Sequence, residues 1–142
     1  MSLATDIADA VVTELAHYAF SQDFEPKMLV LPDFSTEELE TLRVSVVPGG
    51  VEIDQATRSS SKYTVTVSIG VQKRITGTPE ETVATMGALV DEIADFLKST
   101  DLSQFPAAQW HSLTNEPIYV PEHLSQKRTF TSVLSLKYLL FD

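Results

Sequence analysis

The segment KYTVTVSIGVQ, Lys62 to Gln72, sends Tyr63, Val65, Val67, Ile69 and Val71 to one side of an extended chain and Thr64, Thr66, Ser68 and Gly70 to the other. Alternation with a period of two over this length marks a strand with one apolar face. Such a face needs a cover, and TGTPEETVATMGALVDEIADFLKS, which follows it, reads as one. Thr78 stands as N-cap, Pro79 at the first helical position and Glu81 three residues after the cap. Val83, Met86, Val90, Ile93, Ala94 and Leu97 then form a stripe at helical spacing, expected to lie on this strand, while Asp91, Glu92, Asp95 and Lys98 face water. The helix is expected to run from Thr78 to Ser99.

On the N-terminal side, Leu3, Ile7, Val11, Leu15 and Ala19 recur at four-residue spacing, flanked by Ala8, Val12 and Ala16 and opposed by Asp6, Asp9, Thr13 and Glu14. This predicts an amphipathic helix. Lys27 to Leu31 is a short apolar run closed by Pro32 and reads as a strand. Ser35 and Glu38 have the spacing of a capping box, enough for one or two helical turns. Leu42, Val44 and Val46 alternate with Arg43 and Ser45 until Pro48, Gly49 and Gly50 predict a turn. Val51 and Ile53 then open another short strand, and Arg58 to Ser61 reads as a hairpin loop into the long strand.

Beyond Ser99 the prolines at 106, 117 and 121 interrupt any long period, yet Phe105, Trp110, Ile118 and Tyr119 make the stretch too apolar for a linker. One strand is expected around Ala108 to Leu113, with a loop packed by its own aromatics. In the closing RTFTSVLSLKYLLFD, Phe130, Ser132, Leu134, Leu136, Tyr138 and Leu140 alternate with Thr131, Val133, Ser135, Lys137 and Leu139. Its last residues are apolar on both faces, as in a central or interface strand. The fold class is therefore α+β: a single mixed, largely antiparallel β-sheet with two main helices packed on one face, forming one domain over residues 1–142.

The chain has 20 acidic and 10 basic residues, a formal charge of -10 and a pI near 4.6, the wrong sign for a protein that grips phosphates. It contains no cysteine, which excludes disulfides and thiolate metal sites. Asp6, Asp9 and Glu14 interrupt what would otherwise resemble a signal peptide, and no stretch reaches the roughly 18 to 20 apolar residues of a membrane span. A soluble protein made in the cytosol, with no membrane association, is expected.

No motif of established chemistry emerges. His17, His111 and His123 do not share metal-ligand spacing, and the glycines match neither the dinucleotide fingerprint nor the P-loop. Glu122 and His123 are the only adjacent acid and imidazole, which makes them the first suspects for a hidden enzyme. Ser59, Ser60 and Ser61 lack the strand-to-helix elbow of a hydrolase nucleophile. Asp33, Glu37, Glu38 and Glu40 lack the spacing and central glycine of a calcium loop and read as a solvated helical face. No enzyme activity, cofactor or metal is expected. The basic pairs Lys73-Arg74 and Lys127-Arg128 are too small for nucleic-acid recognition but suit an acidic neighbour.

The segment LRVSVVPGGVEIDQATRSSSKYTVTVSIGVQKRI, the helix TPEETVATMGALVDEIADFL and the final FTSVLSLKYLLF strand after a proline-containing loop together resemble the tail terminators and related neck proteins of long-tailed bacteriophages and prophages. The resemblance implies a virion protein made in the host cytoplasm. It implies a homo-oligomeric ring, usually a hexamer, that caps the tail tube protein, ends its polymerisation and joins it to the head-tail connector proteins. DNA would pass through the lumen without specific binding, which an acidic surface favours. A head-completion or connector protein is the nearest alternative, and a small ligand-binding domain or enzyme the distant one. Ring contacts are expected from Arg58, Lys62, Lys73, Arg74, Glu116, Tyr119, Lys127, Arg128, Leu139, Leu140 and Phe141, because the long connections and the apolar C-terminal strand exceed what a monomer uses.

Overall fold

The computed structural model describes residues 2–30, 34–35, 37–98 and 100–142. In chain order these form α1 (Leu3–Ala16), β1 (Pro26–Met28), a 3-10 turn (Glu38–Glu40), β2 (Arg43–Gln55), β3 (Ser61–Arg74), α2 (Pro79–Leu97), β4 (Gln109–Asn115), α3 (Pro121–Gln126) and β5 (Thr129–Phe141). The strands make one five-stranded sheet in the order β1-β2-β3-β5-β4, antiparallel except for the parallel β1-β2 pair. This is the expected α+β class, with α1 and α2 covering one face. Among the described residues no helix is long and apolar enough to cross a membrane.

The alternation of β3 is realised as read: Val65, Val67, Ile69 and Val71 are fully buried, while Thr64, Thr66, Ser68 and Gly70 are half-exposed on the uncovered face. Register carries this face across the sheet, since Ile69 stands opposite Val46 on one side and Leu134 on the other. Ile7, Val11 and Leu15 of α1 and Met86, Leu89, Val90, Ile93 and Leu97 of α2 close the core from above. Each fully buried aliphatic side chain of this kind contributes about 1.5–3 kcal/mol.

Two helix starts follow the sequence signals closely. The Thr78 side chain accepts from the Glu81 N–H at 3.2 Å with Pro79 opening α2. Ser35 and Glu38 form the reciprocal pair of a capping box: the Glu38 N–H donates to Ser35 Oγ (3.2 Å) and the Ser35 N–H to Glu38 Oε1 (3.1 Å). Those bonds hold the Glu38 carboxyl below its ordinary range, the Ser35 backbone bond contributing most.

The first strand is shorter than read, spanning Pro26–Met28 with Leu29 and the exposed Val30 outside it, and the structure differs from the sequence reading in four further places. Pro48-Gly49-Gly50 makes no turn: β2 runs through it as one 13-residue strand, because β3 offers an unbroken partner and the excess residue is absorbed as a bulge between Pro48 and Val51. Gly49 is required there, since a Cβ would sit 2.7 Å from the Thr66 carbonyl oxygen. Secondly, α2 lies over β5, and α1 covers β2 and β3. β3 and β4 point the same way with β5 between them, so the helix linking them must cross β5. Thirdly, α1 stops at Ala16 with His17 as C-cap, leaving Ala19 exposed. Finally, the proline-bearing loop is not packed by its own aromatics. Phe105 and Trp110 pack against the main core, Ile118 and Tyr119 face outward, and Pro121 opens the short α3. Leu31, the end of the expected first strand, Asp33 of the acidic group and Ser99 at the expected end of α2 lie outside the described residues.

Candidate functional site

Sheet geometry sorts the expected contact residues into two groups at opposite ends of the long strands. At one end the distal half of β2 lies outside the buried core, although its partner Val65 on β3 is fully buried. Arg58 sits at the tip of the β2-β3 hairpin, the Ala56 and Thr57 N–H groups donate to the Ser60 carbonyl, and Lys62 stands opposite Phe141. The register places Tyr63 beside Ile53 and Leu140, and Val51 beside Val65. Without helices above them Val51 and Ile53 stay exposed, Ile53 at 60%, and Phe141 on the opposite face at 55%. The final residue ties the hairpin to the chain end: Asp142 accepts from the Ser61 N–H at 2.8 Å and from Tyr63 Oη at 3.3 Å. That carboxylate raises the pKa of Tyr63, mainly through its charge and then through the hydrogen bond.

Leu140 is a correction to the expected contacts. It is 9% exposed and belongs to the core, because its parity on β5 matches Tyr138 and Leu136. Leu139 lies half-buried on the uncovered face beside Phe141.

The other end gathers Lys73, Arg74, Lys127 and Arg128, which are separate pairs in sequence but neighbours once β3 and β5 are in register. The Ile75 N–H donates to the Arg128 carbonyl at 2.8 Å, and Arg128 turns the chain into β5 with φ 47°, a left-handed conformation unusual for a side chain of this size. Arg74 meets Glu40 at 3.2 Å, an exposed pair worth little in water. Glu116 and Tyr119 lie in the same region, where the Glu116 and Val120 N–H groups continue the ladder to Val133 and Thr131 beyond β4. Tyr119 and Leu124 face Pro79, Val83 and Ala84 across a groove of about 370 Å³ at the start of α2.

The sequence did not single out Val51, Ile53 or the groove. By pattern alone the first two open an ordinary strand and Val83 belongs to the core stripe, although Val83 is only half-buried. The available signal was Val51 and Ile53 interleaved with Glu52 and Asp54, just after a Pro-Gly-Gly that interrupts apolar cover.

The catalytic suspects are not brought together. His123 Nδ1 lies 2.8 Å from Thr131 Oγ1, and no hydrogen bond or ion pair links it to Glu122. His17 caps α1, and His111 occupies an exposed bulge in β4. Among the described residues no three His, Asp or Glu side chains are grouped to hold a metal ion. One buried polar pair stands apart. Trp110 and Tyr138 are cross-strand neighbours, and among the described residues neither the indole N–H nor the phenol hydroxyl finds a hydrogen-bond partner. Burial, and secondarily the Glu14 charge, pushes the Tyr138 pKa far above its ordinary value, so this phenol stays neutral at physiological pH.

Charge is distributed unevenly. α1 carries Asp6, Asp9 and Glu14, and α2 carries Glu80, Glu81, Asp91, Glu92 and Asp95, with no Lys or Arg inside either helix. The strands hold Lys27, Arg43, Lys62, Lys73, Arg74 and Lys137 against only Glu52 and Asp54. The helical layer is thus an acidic surface and the sheet a mildly basic one. No protein-family model matches the chain, and no curated protein resembles it at a significant level.

Proposed function

We propose that this chain is a structural virion protein, a tail terminator that assembles into a ring, caps the tail tube and joins it to the head connector. The observation that carries the reading is the distal half of β2. A strand of 13 residues spends its distal half outside the helical cover and exposes Val51 and Ile53 there. Exposed apolar side chains presented on a strand backed by β3 and β5 are suited to contact between subunits. The acidic helical layer supports the same reading, because a surface of that charge repels a passing duplex. The sequence resemblance supplies the identity of the assembly, and the hexameric order comes from it alone.

The test is a phage deleted for this chain, with virion tails measured by negative stain and complemented by the wild-type protein. The terminator reading expects tubes of uncontrolled length that fail to join heads, restored to uniform length on complementation. Tubes of normal length beside unfilled or leaking heads would instead identify a head-completion protein. Normal virions would overturn both.

A further inference from the structure

We infer that the open edge of β2 in one copy pairs with the open edge of β4 in the next, so that the sheet continues from subunit to subunit. This rests on the self-assembly part of the proposed function and names the two strands that meet. Exposed apolar side chains alone do not select a surface, since Tyr18 and Val30 are exposed as well. Backbone edges do. β1 pairs with β2 only from Val44 to Val46, with one further bond from the Leu29 N–H to the Val46 carbonyl. Among the described residues, no strand pairs with the outer edge of β2 over 49–55. β4 closes the other side of the sheet and pairs with β5 alone. An unpaired edge presents a row of N–H and C=O groups that another strand can satisfy.

Direction and pattern match the two edges. β2 runs against β3, β3 against β5 and β5 against β4, so β2 and β4 point opposite ways. A neighbour displaced along the sheet in the same orientation therefore brings its β4 to β2 antiparallel, the more stable pairing. β4 is 7 residues long and spans 49–55 of β2. Val51 and Ile53 lie on the helix side of β2, opposite Val65 and Tyr63, and Trp110 and Leu113 lie on the helix side of β4, opposite Tyr138 and Leu136. One register serves both faces: Val51 meets Leu113, Ile53 meets Trp110, and between them Glu52 meets Ser112 on the polar side. His111 occupies the bulge that β4 already makes against β5. A slip of one residue would set apolar against polar on both faces.

Charge selects the partner. Two β2 edges paired about Ile53 would set Glu52 against Asp54, a like-charge contact that destabilises a sheet. From Gln109 to Asn115, β4 carries no Lys, Arg, Asp, Glu or Pro, the residues that usually guard an exposed edge. Lys137 stands opposite Ser112, so the row that gains Glu52 also holds a cation. Contact between two different edges of identical chains is heterologous, and it closes into a ring or runs on as a filament.

The chain has no cysteine, so introduced thiols report on it without background. Glu52→Cys and Ser112→Cys are made as separate variants on the polar face, mixed at high protein concentration and oxidised, alone and on tail tubes. The inference expects a mixed disulfide between the two variants, none in either alone, and a ladder of covalent oligomers from the double variant. Ile53→Asp should weaken association by about tenfold or more without changing the melting temperature. Amide hydrogen exchange reads the backbone itself: 49–55 and 109–115 should both be protected in assembled wild-type protein and exchange freely in monomeric Ile53→Asp. A ring that forms with neither the mixed disulfide nor protection of these two segments would overturn the edge pairing and leave the ring reading standing. Disulfides only between identical Ser112→Cys chains would show β4 paired with itself and also overturn it. A chain that stays monomeric and uncross-linked, alone and on tail tubes, would remove the pairing and the ring together.

Discussion

The two halves of β2 obey the same alternation and meet opposite fates. From Arg43 to Val47 the strand lies under α1, with Val44 and Val46 buried on the helix side; from Gly49 to Gln55 every residue is exposed. Val46 and Ile53 are both large β-branched residues facing the helix side of the sheet, yet Val46 is fully buried and Ile53 is 60% exposed. The pattern of a strand fixes which side chains share a face, but the neighbouring layer decides whether that face is core. Over β2 the cover ends near the bulge at Pro48 to Val51, while Val65 opposite Val51 and Leu140 on β5 stay buried.

The largest break in this comparison comes from putting a charge in the covered half. Val67→Asp would bury an unpaired carboxylate under α1 and is expected to cost several kcal/mol, enough to leave the chain largely unfolded against a typical total stability of about 5–15 kcal/mol. Circular dichroism of the purified variant checks this. At the boundary, Gly49→Ala drives a Cβ into the Thr66 carbonyl and is expected to cost about 1–3 kcal/mol, whereas Gly50→Ala, with nothing within 4 Å of the added carbon, should be close to neutral. Denaturant melts of the two variants compare them directly.

The tyrosines sharpen the contrast. Tyr63 in the hairpin is raised by the Asp142 charge, and Tyr138 under the helices is raised by burial. Asp142→Asn should bring Tyr63 down toward its ordinary pKa, and salt should do so in part. Neither should move Tyr138. A phenol held neutral in the folded state contributes stability that is present below the unfolded pKa of about 10 and is lost progressively as pH rises above it. Phenolate absorbance should therefore report Tyr138 ionising only as the protein unfolds in alkali. Because its hydroxyl has no partner among the described residues, Tyr138→Phe should be neutral or stabilising by up to about 1 kcal/mol. The smallest effect on stability is expected from Ile53→Asp, within about 0.5 kcal/mol by chemical denaturation, because no helix covers that position.

How far the sequence could be read follows the same division. β3, β5 and the Thr78 start of α2 were legible, because a period of two and a capping residue act locally on their own segment. The class followed from counting those elements. What could not be read was set by partners distant in the chain. The Pro-Gly-Gly looks like a turn until β3 supplies a partner on both sides of it, and the place of α2 over β5 depends on β5 entering the sheet between β3 and β4. The candidate surfaces were half legible for the same reason. Arg58, Lys62 and Phe141 at one end, and Lys73, Arg74, Glu116, Tyr119, Lys127 and Arg128 at the other, were picked out as polar, basic or apolar beyond local need. That they form two groups at opposite ends is a property of the register. Leu140 was misplaced because the apolar run at the chain end hides which of its members faces the helices.

The central claim is that the uncovered half of β2 exists for assembly, and the most direct measurement is the mass of the wild-type chain and of Ile53→Asp, by light scattering alone and by negative stain on tail tubes. The account predicts a closed ring for the wild type in at least one setting, and for Ile53→Asp a folded monomer with the parent melting temperature that leaves the tubes uncapped. A wild-type chain that is monomeric in both settings, or an Ile53→Asp variant that forms the same ring, would contradict it.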